Sequence, residues 1–354
     1  MTTDLGPLGP PPRRVHPRAM LGPDSVAAKL MLNPLTLLGG PRALLLQLAH
    51  PLVAAGVADH SSFQQAPFDR LLRTLSTLGT VAFASPQASG RALHALSDTH
   101  RTVRGRSPEG RAYSAGDPRL ATWVHATIVD SYLAVDRRWV GCLQEDERSA
   151  FYRETLILGR AFGARVTPDA NLTGPEPSPE RSVWRLPASL AGFEAWMGER
   201  MGELVVSEQA RAMALDVMRP PLCAQWGALG RERGALGRQG EWLGRQAERL
   251  AWPFMEVVTA DLLPLSLRDG YGLGTPMPHR RQPAKLALGA TCGIVRQLSP
   301  LAQVGGPHPD RPTRVAAFLS GCRIGVPHQG TAGRGQGQPR DAARRSPLRL
   351  AIWP

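Results

Sequence analysis

From about residue 24 to residue 164, apolar positions recur at helical spacing with short connections between the runs. The stretch Arg42-Ala43-Leu44-Leu45-Leu46-Gln47-Leu48-Ala49-His50 is apolar on every side, the pattern of a helix buried all round. Pro41 suits its opening, and Pro51, which has no N–H to donate, should end or kink it. Pro67 suits the first turn of a second helix, with Leu71, Leu72, Leu75, Leu78 and Ala82 on one face and Arg70, Arg73, Thr74 and Thr77 on the other. Ser85-Pro86 supplies a cap and first turn to a third helix, along which Leu93, Leu96, His100 and Val103 align. Asp117-Pro118 opens a fourth, carrying Trp123, Val124, His125, Ile128, Tyr132 and Val135.

Residues 166–187 are rich in proline and read as a long surface loop. Pro187 then starts a helix with Leu190, Phe193, Met197, Met201 and Leu204 on one stripe, and Ser207 caps the next, which Pro220-Pro221 stops. No series of alternating apolar and polar positions marks a sheet, so the class is mainly α. Within residues 227–250, GALGRER, GALGRQG and EWLGRQA repeat, and Leu229, Leu236, Leu243 and Leu250 fall seven apart. A zipper needs apolar residues at both a and d. Glycine fills much of this repeat instead, at about 1 kcal/mol each against alanine, which favours an insertion or linker. The organisation expected is a Pro-rich tail over 1–20, a helical domain over 21–300 with the 227–250 insertion, and a basic low-complexity tail over 301–354.

Composition changes this picture little. The 354 residues carry a formal net charge of +13, almost all of it from arginine, since Lys29 and Lys285 are the only lysines. A nucleic-acid surface is one reading of that charge. The 301–354 segment, however, sets eight arginines against only Asp310 and Asp341, so much of the excess lies outside the helical body and no specific nucleic acid is expected. Cys142, Cys223, Cys292 and Cys322 show no CxxC spacing, which argues against a zinc ribbon or a thioredoxin-type pair. The first twenty residues lack a basic region followed by an apolar core, and residues 43–57 are too short and polar for a confident membrane span. A cytoplasmic protein without a transmembrane segment is the expectation.

The candidate chemistry lies in the histidines. His16, His279, His308 and His328 fall in Pro-rich or tail segments, whereas His50, His60, His94, His100 and His125 fall among the helices. No HExxH, P-loop, GxSxG or GxGxxG stands in a supporting context. His100 continues an apolar helix face where a hydrophobe would be the default, and Arg104 follows at i+4. A hydrogen-bonded core histidine is one reading of this pair. An axial ligand of haem iron, with the arginine pairing a propionate, is the other. Arg70, Arg73 and Thr74 form either a solvated helix face or a polar wall above a cofactor, and His125 is either a core histidine or a partner of that site.

The runs LLLQLAHPLVAAGVADHSSF, FDRLLRTL, THRTVRG and YSAGDPRLATWVHATIVDSYL, with LLPLSLRDGYGL at 262–273, resemble the bacterial and fungal oxygenases that include the latex-clearing rubber oxygenases and the oxygenase cleaving the prenyl chain of a mycophenolic-acid precursor. The resemblance implies a multi-helix bundle enclosing a b-type haem, with dioxygen as co-substrate and a small hydrophobic, isoprenoid-type substrate. It implies His100 as the iron ligand, Arg70 and Thr74 as polar residues of the distal side, and Arg73 at the position where rubber oxygenases can place a lysine that caps the iron. Arg104 and His125 are the further cofactor-binding candidates. Rubber oxygenases also use an upstream glutamate as a base, but no glutamate stands between Lys29 and Arg104, so rubber itself is not the expected substrate. A haem sensor or carrier without turnover is the alternative within this family, and a basic helical nucleic-acid-binding protein the alternative outside it. The Gly, Pro and Arg content of 301–354 offers little apolar surface to offset ordering entropy. Truncation near residue 300 should therefore leave the haem content of the purified protein unchanged. Loss of haem or solubility in the truncated protein would contradict that division.

Overall fold

The computed structural model describes residues 19–60, 67–167, 184–218 and 253–274; for residues 67–72 it describes the backbone alone. The 227–250 repeat, the 301–354 tail, most of the N-terminal tail and the centre of the proline-rich stretch lie outside the described residues. Most of what is described is helical. In chain order the helices are α1 (Val26–Met31), α2 (Gly40–Leu48), α3 (Pro51–His60), α4 (Pro67–Phe83), α5 (Pro86–Thr102), α6 (Pro118–Val135), α7 (Glu145–Ala161), α8 (Leu190–Gly202), α9 (Glu208–Met218), α10 (253–262) and α11 (Leu265–Gly270). A 3₁₀ turn (Pro34–Gly39) precedes α2, and a π turn (Asp136–Val140) follows α6.

Helices α2 and α6 pack against one another at the centre. Helix α2 is buried almost all round, as its pattern predicts, and its two buried polar side chains both find partners. Gln47 Nε2 donates to Thr127 Oγ1 (3.1 Å). Arg42, only 4% exposed, donates to the Leu262 carbonyl (2.8 Å) and to Ser131 Oγ (2.9 Å), tying α2 to α6 and to the end of α10. Its Nη2 also stands 2.6 Å from Asp130 Oδ2, a charge contact without the angle of a directed hydrogen bond. At Pro51 the chain turns by 105° between the Leu35–Leu48 run and α3. The His50 carbonyl accepts from both Val53 and Ala54, so α3 is capped without the missing N–H. Among the described residues no single helix is long and apolar enough to cross a membrane. The bent pair Leu35–Leu48 and Pro51–His60 meets the requirement only by length and composition, and most of its apolar side chains are buried in the protein.

The capping signals read from the sequence hold. Ser85 accepts from Ala88 N and Asp117 from Arg119 N, each before a proline in the first helical turn, and Ser207 accepts from Ala210 N. Ser85 caps α5 where the chain turns back from α4, and the two helices pack on one another. Four expectations need correction. Helix α8 begins at Leu190 with Ser189 as its cap, not at Pro187, whose carbonyl instead accepts from the Tyr152 hydroxyl (2.6 Å). The ends of the 166–187 stretch are not surface loop: Val166 and Leu186 are buried and form a parallel bridge. Thr77, placed on the polar back of α4, is 1% exposed. Finally, α5 stops at Thr102 because Val103 takes extended angles (φ −87°, ψ 96°), and the chain enters a two-stranded antiparallel hairpin, β1 (Arg104–Arg106) and β2 (Ala112–Ser114). Arg104 is therefore not one helical turn beyond His100. Three-residue strands carry too little alternation to be read from sequence.

Arg42→Ala should cost about 3–5 kcal/mol, the range for breaking a buried charged pair, because it leaves Asp130 and the Leu262 carbonyl short of a partner. Chemical denaturation of the variant beside the wild type measures this, and a loss below about 1 kcal/mol would show that the anchor is dispensable.

Candidate functional site

Helices α4, α5 and α6 border a cavity whose empty space, open solvent at its mouth included, is about 650 Å³. Leu78, Leu96, Val124 and Ile128 supply apolar wall, Phe162 closes it beyond the end of α7, and Ala115 borders it beyond β2. Its polar lining is Thr74 from α4, His100 from α5 and His125 from α6. Three separate helices thus bring together three of the sequence-predicted residues.

His100 is half-buried, and its Nε2 is buried without a hydrogen-bond partner. Burial disfavours the imidazolium and lowers its pKa from 6.5 to about 4, so at neutral pH the ring is neutral and can present a nitrogen lone pair. His125, 6% exposed, is lowered to about 4 by the same cause, opposed by its contact with the Thr155 backbone. Its Nε2 is also buried without a partner. The ring lies against Gly159 of α7 so closely that a Cβ there would stand 2.9 Å from Nε2 and Cδ2; glycine at this position is what admits the ring.

Arg73 and Arg104 do not line the cavity. Arg73 is half-buried next to Thr74, and its Nε is buried without a partner. Arg104 is exposed at the start of β1. The Arg70 side chain is not among those described. Among the described residues no three His, Cys, Asp or Glu side chains converge. Sequence reasoning missed Phe162 and Ala115, which lie beyond element ends where no periodicity signals a wall. It also missed Gly159, whose one visible sign is a glycine inside an otherwise regular helix. His50 sits apart from the cavity with its ring 6.5 Å from Trp123 and 5.9 Å, edge-on, from Trp184.

A family model described as ER-bound oxygenase mpaB/B′/rubber oxygenase, catalytic domain, matches residues 28–297. Uncharacterized proteins of Mycobacterium bovis and Mycobacterium tuberculosis are each 32% identical over 122 residues, covering 33% of this chain and 47% of the relative. The chain thus spans about half the length of the curated relatives it matches. No solved structure matches it.

Two predictions follow from the buried rings. Gly159→Ala should displace His125 and cost about 1–3 kcal/mol, the usual cost of overpacking, read as a lower denaturation midpoint. His50 is lowered to about 4 by burial, with a smaller contribution from the Arg111 charge. Its unfolded value is 6.5, so between pH 6.5 and 4 the unfolded chain binds a proton that the folded chain does not. The stability associated with the neutral ring is complete above pH 6.5 and is lost as pH falls towards 4. Denaturation of the apoprotein across this window should show a shallower pH dependence in His50→Gln than in the wild type; equal slopes would contradict the assignment.

Proposed function

The chain belongs to the family of the mpaB/rubber oxygenase catalytic domain, and from that premise we propose that it is a haem b-dependent oxygenase that oxidises or cleaves a small hydrophobic, isoprenoid-type molecule with dioxygen. The observation that carries the reading is the His100 imidazole: neutral, half-buried, with a buried and unpartnered Nε2, and in the wall of an apolar cavity.

The residues present fit a haem. An apolar cavity suits the faces of the macrocycle, and an unpartnered imidazole nitrogen is a ready axial ligand. His100 would hold the iron. Arg73, with its buried Nε, and Arg104, exposed at the hairpin, are the guanidinium candidates for the propionates. When bound, the haem supplies the binding and activation of dioxygen. Thr74 lines the cavity and contributes a hydroxyl among apolar side chains, where a fixed donor acts more strongly than in water. Leu78, Leu96, Val124, Ile128 and Phe162 exclude water and leave an apolar surface for a hydrophobic substrate. His125 remains neutral at physiological pH and packs against Gly159. Arg70, on α4 one helical turn before Thr74, is kept as a distal-side residue on the strength of the shared motif alone. A haem carrier without turnover is the second reading, favoured by the lack of any glutamate between Lys29 and Arg104.

The test supplies farnesol and squalene as isoprenoid probes to haem-reconstituted protein and follows dioxygen uptake and carbonyl products. Dioxygen-dependent product is expected, and Thr74→Ala should keep its haem while lowering the rate. Haem uptake with no oxygen consumption on any hydrophobic probe would replace the oxygenase with the carrier.

A further inference from the structure

The end of α3 and the β1–β2 hairpin meet in a cluster of side chains with no part in the cavity lining. Tyr113 of β2, 5% exposed, donates its hydroxyl to Asp59 Oδ2. The neighbouring His60 packs edge-on to the Tyr113 ring, with centroids 6.1 Å apart. His60 Nε2 lies 3.2 Å from the Arg104 carbonyl; a carbonyl can only accept, so the proton sits on Nε2. Gly105 faces Tyr113 across the ladder, and a Cβ on it would stand 2.5 Å from the Tyr113 hydroxyl. The phenol therefore crosses directly over the backbone that follows Arg104, and only glycine leaves room for it. Burial, together with the Asp59 hydrogen bond, raises the Tyr113 pKa, which keeps the hydroxyl protonated and donating.

This cluster reaches the site through a continuous run of backbone bonds. Val103 N donates to the His100 carbonyl, closing α5, and Ala115 N donates to the Val103 carbonyl (2.9 Å). Ala115 itself lines the cavity. Arg104 is thus held from two sides, by its pairing with Ser114 and by His60 on its carbonyl. The helix end that carries His100 leads into a hairpin that Asp59, His60 and Tyr113 pin to α3.

We propose that Asp59, His60 and Tyr113 are positioning residues that clamp the β1–β2 hairpin to α3 and so fix the exit of α5, setting both the His100 imidazole and the Arg104 guanidinium for the bound cofactor. The proposal rests on the haem reading above for its functional part. Its structural part, the clamp itself, does not depend on haem.

The experiment therefore has two readouts on the full chain with Tyr113→Phe, Asp59→Ala and Asp59→Asn. The first is hydrogen exchange of the 103–115 backbone in the apoprotein. The second is haem dissociation into excess apomyoglobin, with the ferric spectrum of the reconstituted protein recorded beside it. Tyr113→Phe and Asp59→Ala should speed exchange in the hairpin and haem loss by about tenfold each, the scale of a lost hydrogen bond to a charged group. Asp59→Asn, whose amide oxygen still accepts from the phenol, should restore most of both. Unchanged hairpin exchange in Tyr113→Phe overturns the clamp whatever the haem result. Faster exchange with unchanged haem loss and spectrum overturns its coupling to the site. Failure of the wild type to take up haem overturns the haem reading and the coupling together, and is distinguishable because it appears without any substitution.

Discussion

An imidazole nitrogen removed from water and given no partner costs about 1–3 kcal/mol, and this cavity has two such nitrogens in its walls, one on His100 and one on His125. Everything around them sustains that cost. Apolar side chains from α4, α5 and α6 keep the rings neutral, and Gly159 of α7 leaves space for the second ring. A folded chain of marginal stability keeps an unpaired polar atom where something else completes it. For His100 the group proposed is a haem iron. His125 meets the Thr155 backbone and still keeps its Nε2 without a partner.

The scaffold makes this arrangement rigid by joining its helices with polar contacts at chosen points. Arg42 bonds α2 to α6 and to the Leu262 carbonyl, and Gln47 adds a second α2–α6 contact at Thr127. Asp136, wholly buried after α6, accepts from Cys142 N and Leu143 N and pairs with Arg148 of α7 (3.0 Å), so the turn that carries the chain from α6 to α7 is fixed by a single carboxylate. Tyr152 stacks on Phe193 with centroids 4.7 Å apart and joins α7 to α8. Of the helices around the cavity, α5 and α6 open on side-chain caps, α6 leads into the turn held by Asp136, and α5 leads into the hairpin.

Much of this was legible in the sequence because helices announce themselves through caps, prolines and period. Ser85-Pro86, Asp117-Pro118 and Pro67 mark helix starts by a local steric and hydrogen-bonding preference, and the tertiary structure does not override them. Leu96 and His100 line the same cavity wall because they share a helix face, which spacing alone predicts. What escaped the sequence is what depends on contacts between elements. The hairpin after Thr102 is too short to show alternation, so Arg104 reads as helix although it is strand. Thr77 reads as a polar outer position because its pattern cannot reveal that α4 is covered on that side as well. The closeness of Gly159 to His125 and of Gly105 to Tyr113 joins residues far apart in the chain, and a glycine in one segment says nothing of the ring it makes room for in another.

In the proposed site the His100 imidazole is the ligand of the haem iron. Replacing it by glycine should remove the ligand and leave a gap of its own size in the cavity wall. The direct measurement is the absorption spectrum of His100→Gly protein incubated with haem, before and after adding free imidazole. The expected result is a weak Soret band that rises to near the wild-type intensity and position when imidazole fills the gap. A His100→Gly protein that holds a full complement of haem with the wild-type spectrum, and does not respond to imidazole, would contradict it.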